Sequence, residues 1–238
     1  MSNAALIVAA GRGSRMMQDM PKQYLTLGGR TVLWHTVQAF LASDRIHAVR
    51  VVIHPDDRAL YDNAVAGTND ARLGAPVPGG ASRAASVRLG LEALQADAPE
   101  HVLIHDAARP FCTPRLISAV LDPLMQVDGA FAALPVVDAL WKADGTEAIS
   151  PVSRDSLWRA QTPQAFRYAA ILDAHAHGDA AAADDAEIAR AAGLTVRVVE
   201  GAEDNFKITL PRDLARAERM LEQGQTNGLS QFSLQSTS

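Results

Sequence analysis

Two cations, Arg15 and Lys22, follow a pair of glycines, Gly11 and Gly13, at the end of the apolar run 5–10. Glycine lets backbone approach a ligand closely, and successive N–H groups bind anions. Fixed cations beside such a loop suit a triphosphate whose charge grows during transfer. Pro21 fixes the backbone just before Lys22. An ordinary strand-to-helix turn with two solvated cations would leave the same trace. A dinucleotide loop would place a third glycine where Met16 stands, and no G-x-x-x-x-G-K-[ST] string occurs.

Further polar groups recur at the ends of apolar segments. His105-Asp106-Ala107-Ala108-Arg109-Pro110 closes a strand candidate, and in open α/β sheets the carboxyl ends of strands face the ligand crevice. Asp106 suits a hydroxyl or a metal ion there and Arg109 a phosphate; alternatively the two form an ion pair that fixes the turn. His105 reads as a satisfied core histidine rather than a base. Pro78-Gly79-Gly80-Ala81-Ser82-Arg83-Ala84-Ala85-Ser86 is a second glycine turn opening a helix, suited to a base or ribose or simply capped by Ser82. Arg154 and Thr162 are phosphate-type and hydroxyl-type ligands, though charge on an arm is usually solvated. Lys207 lies in the apolar context of Phe206 and Ile208 before the last helix, where a further cation would serve a triphosphate. His175 and His177, two apart on a helix, point to different faces and read as surface residues, and Asp184-Asp185 reads as helix N-terminal charge. The one cysteine, Cys112, reads as a small core residue.

The elements that must position these groups follow from pattern. Strand candidates 5–10, 49–53, 101–105, 130–136 and 195–199 alternate with helix candidates 31–42, 57–66, 83–95, 114–126, 167–176, 184–192 and 212–222. The alternation predicts an α/β fold, a mostly parallel sheet flanked by helices. Thr113-Pro114 reads as a helix start and Gly193 as a helix stop. Residues 135–157 break the rhythm with apolar Val136, Val137, Leu140 and Trp141 around the turn signal Asp144-Gly145. This predicts a projecting β-arm whose Leu140, Trp141 and Leu157 need a partner surface, a homodimer being the natural one, or an arm folded back on its own domain. Residues 1–222 read as one domain and 223–238 as a polar, unstructured tail with no room for a second catalytic domain.

Composition bounds the partners. The 238 residues carry a net charge of −5, with 48% apolar and 21% charged residues, as expected of a soluble globular protein rather than a nucleic-acid or anionic-membrane binder. One cysteine allows no internal disulfide, no basic region precedes the first apolar run, and no run approaches the ~20 residues that span a bilayer. A cytoplasmic location is expected.

Val8-Ala-Ala-Gly-Arg-Gly-Ser-Arg-Met16 and Pro21-Lys-Gln-Tyr24, taken with His105–Pro110, Thr162-Pro-Gln164 and Asp204-Asn-Phe-Lys207, resemble the 2-C-methyl-D-erythritol 4-phosphate cytidylyltransferases of the non-mevalonate isoprenoid pathway. The resemblance spans about residues 3–222. It implies a Rossmann-like nucleotidyltransferase fold, a homodimer with a swapped arm, CTP, a sugar-alcohol phosphate and a divalent cation, usually magnesium. It further implies that Arg15 and Lys22 stabilise the transition state and leaving pyrophosphate. Arg154, from the partner's arm, and Lys207 would position the acceptor phosphate. Ala9, Ala10, Gly11, Gly80 and Ser86 match positions that contact cytosine and ribose, with Gly13 in the same loop. Asp106, Arg109 and Thr162 match substrate or metal contacts. Ala139 and Ala183 stand where the family often has threonines at the sugar-phosphate end, which keeps another polyol phosphate, such as ribitol 5-phosphate, as an alternative acceptor. A silent nucleotide-binding homologue is disfavoured by the presence of all four cations.

Overall fold

A computed structural model of the chain describes residues 2–12, 20–179 and 181–232, with side-chain surroundings to residue 224. The strands are β1 (Asn3–Ala9), β2 (Thr26–Leu27), β3 (Arg30–Thr31), β4 (Ala48–Ile53), β5 (Val77–Pro78), β6 (His101–Asp106), β7 (Gly129–Pro135), β8 (Leu140–Asp144), β9 (Glu147–Val152), β10 (Trp158–Arg167) and β11 (Val196–Glu200). The helices are α1 (Val32–Leu41), α2 (Arg58–Ala64), α3 (Arg83–Ala93), α4 (Pro114–Leu121), α5 (Tyr168–His177), α6 (Asp185–Ala191) and α7 (Pro211–Phe232).

Seven strands form one sheet in the order β11-β7-β10-β6-β1-β4-β5. β1 pairs parallel to β4 and β6, β4 to β5, and β7 to β11; only β10 runs antiparallel, between β6 and β7. The chain leaves β1 toward β4 and β5, then returns to place β6 on the other side of β1. That reversal makes the carboxyl ends of β1 and β6 the place for a ligand crevice.

The period-2 alternation of the buried strands feeds two helix layers. Ala5, Ile7 and Ala9 of β1 pack with α1, α2 and α4, while Ala4 and Leu6 pack with α3, α5 and α6. The expected helix signals operate as read. Thr113 Oγ1 accepts from Leu116 N–H with Pro114 opening α4, and Gly193, with φ +82°, follows α6. Cys112 is buried, and burial pushes its thiol pKa up.

Three features differ from expectation. β10 is a ten-residue strand that sequence pattern did not reveal, because Gln161, Thr162, Pro163 and Gln164 interrupt its apolar residues. Its register shifts between Ala160 and Gln164, and Thr162-Pro163 is cis. α7 continues to Phe232, into the segment expected to be an unstructured tail; residues 233–238 lie outside the described set. His175 is buried on α5, whereas His177 is exposed, so only the second is a surface residue.

The β-arm is a two-stranded sheet of its own, β8 against β9, turning at Gly145 and Thr146. Trp141 and Ile149 are 59% and 63% exposed on it, with Val137, Leu157 and Trp158 exposed at its base. The arm therefore does not fold back onto the core.

His105, on β6, is fully buried and lies 4.8 Å from the ring of Phe40. Its Nε2–H donates to the Arg109 carbonyl at 3.0 Å, so Nδ1 accepts from the Thr162 hydroxyl at 3.1 Å. Burial pushes its pKa down to about 4. The unfolded chain therefore binds a proton that the fold excludes between pH 6.5 and 4, and stability falls as pH falls through that window. The expected loss is on the order of 3 kcal/mol. Denaturant titrations at about pH 7 and about pH 4.5 should show it, with a shallower dependence in His105→Gln.

Candidate active site

A cavity of about 520 Å³ opens at the carboxyl ends of β1, β4 and β6. Ala9, Ala10 and Gly11 line it from the end of β1, Gly80 and Ser86 from the second glycine turn, and Lys22, Asp106 and Lys207 from three further segments. A smaller cavity of about 190 Å³ is lined by Arg109, Thr162, Gln164, Ala183 and Asp184 and shares Arg83, Asp106 and Lys207 with the first. Gly13 and Arg15 lie outside the described residues. Arg154 sits beyond β9 on the arm, donates to the Val137 carbonyl, and is not among the residues lining either cavity. Of the two departures from the family pattern, Ala183 faces the smaller cavity, whereas Ala139 is exposed on the arm.

The wall of the larger cavity is backbone held at close range. Gln23, buried on the turn after Pro21, donates its amide N–H groups to the carbonyls of Ala9 at 2.6 Å and Gly11 at 3.0 Å. One side chain thus ties the Lys22 turn to the end of β1. Arg12 pairs with buried Asp57 at 2.8 Å and anchors the same loop to the segment after β4. Across the cavity, Ser86 Oγ accepts from Gly80 N–H at 3.1 Å and donates to the Ser82 carbonyl at 2.9 Å, while Ser82 caps α3. A Cβ on Gly79 would lie 2.6 Å from that of Ala10, so this glycine allows the two loops to touch. A Cβ on Gly11 would meet nothing within 4 Å. Among the described residues the space beside Gly11 is open.

Asp106 and Arg109 form the ion pair that was one of their two readings, and Lys207 and Arg83 join it. Lys207 Nζ lies 2.9 Å from Asp106, with Arg109 at 3.4 Å and Arg83 at 3.7 Å. Burial alone would raise the Asp106 pKa, but Lys207, Arg83 and Arg109 outweigh it and hold the carboxylate well below its usual range. Asp106 N–H donates to Thr162 Oγ1 at 3.0 Å, which places Thr162 behind the carboxylate. Asn205, fully buried, donates to the Thr162 carbonyl at 2.8 Å, and Arg109 donates to the Asn205 carbonyl at 2.8 Å. Ile208 N–H then donates to the Ala108 carbonyl at 2.8 Å, fixing the segment that carries Lys207.

Among the described residues no three His, Cys, Asp or Glu side chains converge as a metal site. Asp106 is already claimed by three cations. These donors do not fit a metal ion held by the protein itself; they fit an anion, which meets Arg83, Arg109 and Lys207 together.

Sequence reasoning passed over Gln23, Asn205 and Gln164 as site-building residues and treated Arg83 as one weak member of a loop. Gln23 carried a usable signal: a polar residue in a motif beside a candidate catalytic lysine. Asn205 and Gln164 act mainly through contacts distant in sequence, which no local pattern encodes.

A family model for IspD, 2-C-methyl-D-erythritol 4-phosphate cytidylyltransferase, matches residues 3–223. The chain is 53% identical over 221 residues to a 2-C-methyl-D-erythritol 4-phosphate cytidylyltransferase of Cereibacter sphaeroides, covering 93% of this chain and 97% of that protein. It is 53% identical over 218 residues to a bifunctional enzyme IspD/IspF of Rhodospirillum rubrum, of which it spans 56%. A crystal structure of the 2-C-methyl-D-erythritol 4-phosphate cytidylyltransferase from Thermus thermophilus superimposes with a TM-score of 0.74 at 34% identity, over 92% of this chain and 98% of that one.

If the space at Gly11 is reserved for nucleotide, Gly11→Ala should fold with an unchanged or slightly higher melting temperature, since Gly→Ala at a compatible site stabilises by about 0.4–1 kcal/mol. Its KM for nucleotide should nevertheless rise about tenfold or more. Gly79→Ala should instead lower the melting temperature.

Proposed function

The chain belongs to the 2-C-methyl-D-erythritol 4-phosphate cytidylyltransferase family, and from that premise we propose how its own residues carry out the reaction. The enzyme transfers CMP from CTP to 2-C-methyl-D-erythritol 4-phosphate in isoprenoid precursor synthesis, giving 4-diphosphocytidyl-2-C-methyl-D-erythritol and pyrophosphate. The observation that carries the reading is the pair of adjoining cavities joined at Arg83, Asp106 and Lys207.

CTP occupies the larger cavity in this reading. Cytosine and ribose meet Ala9, Ala10, Gly11, Gly80 and Ser86. The acceptor phosphate enters the smaller cavity and is drawn by Arg109 and Lys207, with Asp106 toward its hydroxyls and Thr162 bracing Asp106 from behind. One oxygen of that phosphate attacks the α-phosphorus of CTP. A new P–O bond forms, the α–β bridging P–O bond breaks, and pyrophosphate leaves. The phosphate is already ionised, so no protein base is required, and catalysis reduces to positioning and charge neutralisation. Lys22, on the cavity wall, and Arg15, two residues after Gly13 in sequence, are assigned to the developing charge on the α-phosphate and pyrophosphate. We assign a divalent cation, magnesium, to the triphosphate oxygens, because magnesium keeps several waters and takes most of its other ligands from substrate phosphates.

The arm supports a homodimer. Its apolar Trp141 and Ile149 face outward, and Arg154 is carried on it away from the cavities of its own chain. We propose that a second copy accepts the arm and receives Arg154 at its acceptor phosphate. The single cysteine and the lack of any described helix long and apolar enough to cross a membrane support a cytoplasmic location.

Pyrophosphate release with CTP and magnesium is expected with 2-C-methyl-D-erythritol 4-phosphate and not with ribitol 5-phosphate; the reverse preference would overturn the acceptor. Lys22→Ala should lower kcat about 10²–10³-fold with little change in CTP affinity, because the charge it meets is greatest in the transition state. An unchanged kcat would remove it from the chemistry. Mixing inactive Lys22→Ala and Arg154→Ala chains should restore roughly a quarter of wild-type activity, since half of randomly formed dimers hold one intact site of two. No restoration would mean that Arg154 does not act across copies.

A further inference from the structure

Asp185 is fully buried, yet it is charged and lies where α3, α5 and α6 meet in an otherwise apolar helix layer. Arg83 Nη2, at the start of α3, donates to it at 2.7 Å. His175 of α5, equally buried, comes within 3.2 Å on another side. Burial alone would raise the pKa of Asp185, but His175 and Arg83 keep it low. Gln164 fixes its backbone from β10, accepting from Ala186 N–H at 2.9 Å and donating to Asp184 Oδ2 at 3.1 Å.

We propose that Asp185 is a positioning residue that acts through Arg83 on both substrates. This inference rests on the cytidylyl-transfer reading. Arg83 lines both cavities and stands 3.7 Å from Asp106 at their junction. A guanidinium carries five N–H donors in a fixed plane, so gripping one end sets the direction of the rest. Asp185 holds Nη2 from the helix layer, leaving the head aimed at the space where donor and acceptor phosphates meet. A stabilising role alone explains the arrangement poorly. A buried ion pair returns little net stability compared with apolar packing, and the layer around Asp185 is apolar. It also would not need the arginine head to stop at a cavity wall, where 28% of the side chain remains exposed.

The test is a double-mutant cycle with both substrates varied: wild type, Asp185→Asn, Arg83→Gln and the double variant. Losing an oriented, charge-assisted contact costs about 1.5–3 kcal/mol, or roughly ten- to a hundredfold. Asp185→Asn should therefore lower kcat/KM by at least about tenfold for CTP and for the acceptor alike. In the Arg83→Gln background it should add less than about twofold. Additive losses, or a lower melting temperature with both kcat/KM values unchanged, would overturn the proposal. Arg83→Lys keeps the charge but lacks the planar fork, and it serves should Asp185→Asn fail to fold. It should lose at least about tenfold with both substrates, and full activity in it would equally overturn the proposal. Wild-type turnover tests the underlying reading separately. Calorimetric affinity for CTP alone carries the same comparison among the variants: a several-fold loss in Asp185→Asn but not on top of Arg83→Gln is expected, and unchanged affinity in both single variants would count against the proposal.

Discussion

One buried carboxylate organises the centre of this molecule. Asp106 ends β6 at the reversal point of the sheet and is ringed by Lys207, Arg109 and Arg83. Three cations in so small a volume would repel one another without it. Asp106 is shared among the three, and Arg83 is gripped from its far end by buried Asp185 at 2.7 Å. The cluster is therefore a structural knot at the junction of the two cavities. Each cation arrives from a different segment, which makes the site depend on the tertiary fold rather than on any one loop.

The supporting contacts are mostly side chain to backbone. Gln23 holds two carbonyls of the β1 loop, Asn205 holds the Thr162 carbonyl, and Thr162 receives the Asp106 N–H. Such bonds are modest singly, about 1 kcal/mol each, but a buried group left without its partner costs more. The backbone around the cavities thus has few alternative arrangements. That rigidity suits a reaction whose rate comes from holding two phosphates in line rather than from proton transfer.

The parallel core was legible because its signals are local. Apolar runs such as 49–53 and 101–105 need no partner to be read, and Thr113-Pro114 caps α4 within four residues. The glycine turns and the lysine beside Pro21 were legible as chemistry for the same reason. β10 was not, because its polar stretch Gln161–Gln164 is buried by contacts to Ala202, Asn205, His105 and Asp184, all far away in the chain. Asp184-Asp185 is helix N-terminal charge as read, at the start of α6, but His175 was misread as a surface residue and the burial of Asp185 was not legible, because only the packing of α3 against α5 and α6 encloses them. Polar residues that serve a site are the ones whose environment sequence periodicity describes least.

The antiparallel β10 also explains where the arm can act. β7 runs parallel to β6, so it ends at Pro135 on the edge of the sheet that holds Ala9 and Asp106. The hairpin β8–β9 is inserted there, and β10 carries the chain back across the sheet. A parallel strand after β7 would have required a crossover over a helix layer and would have buried this connection. The antiparallel return leaves it free to project from the same edge as both cavities. Arg154, just beyond β9, lies at the base of this projection, where it donates to the Val137 carbonyl. The one strand that breaks the parallel order thus sets where the hairpin leaves the sheet.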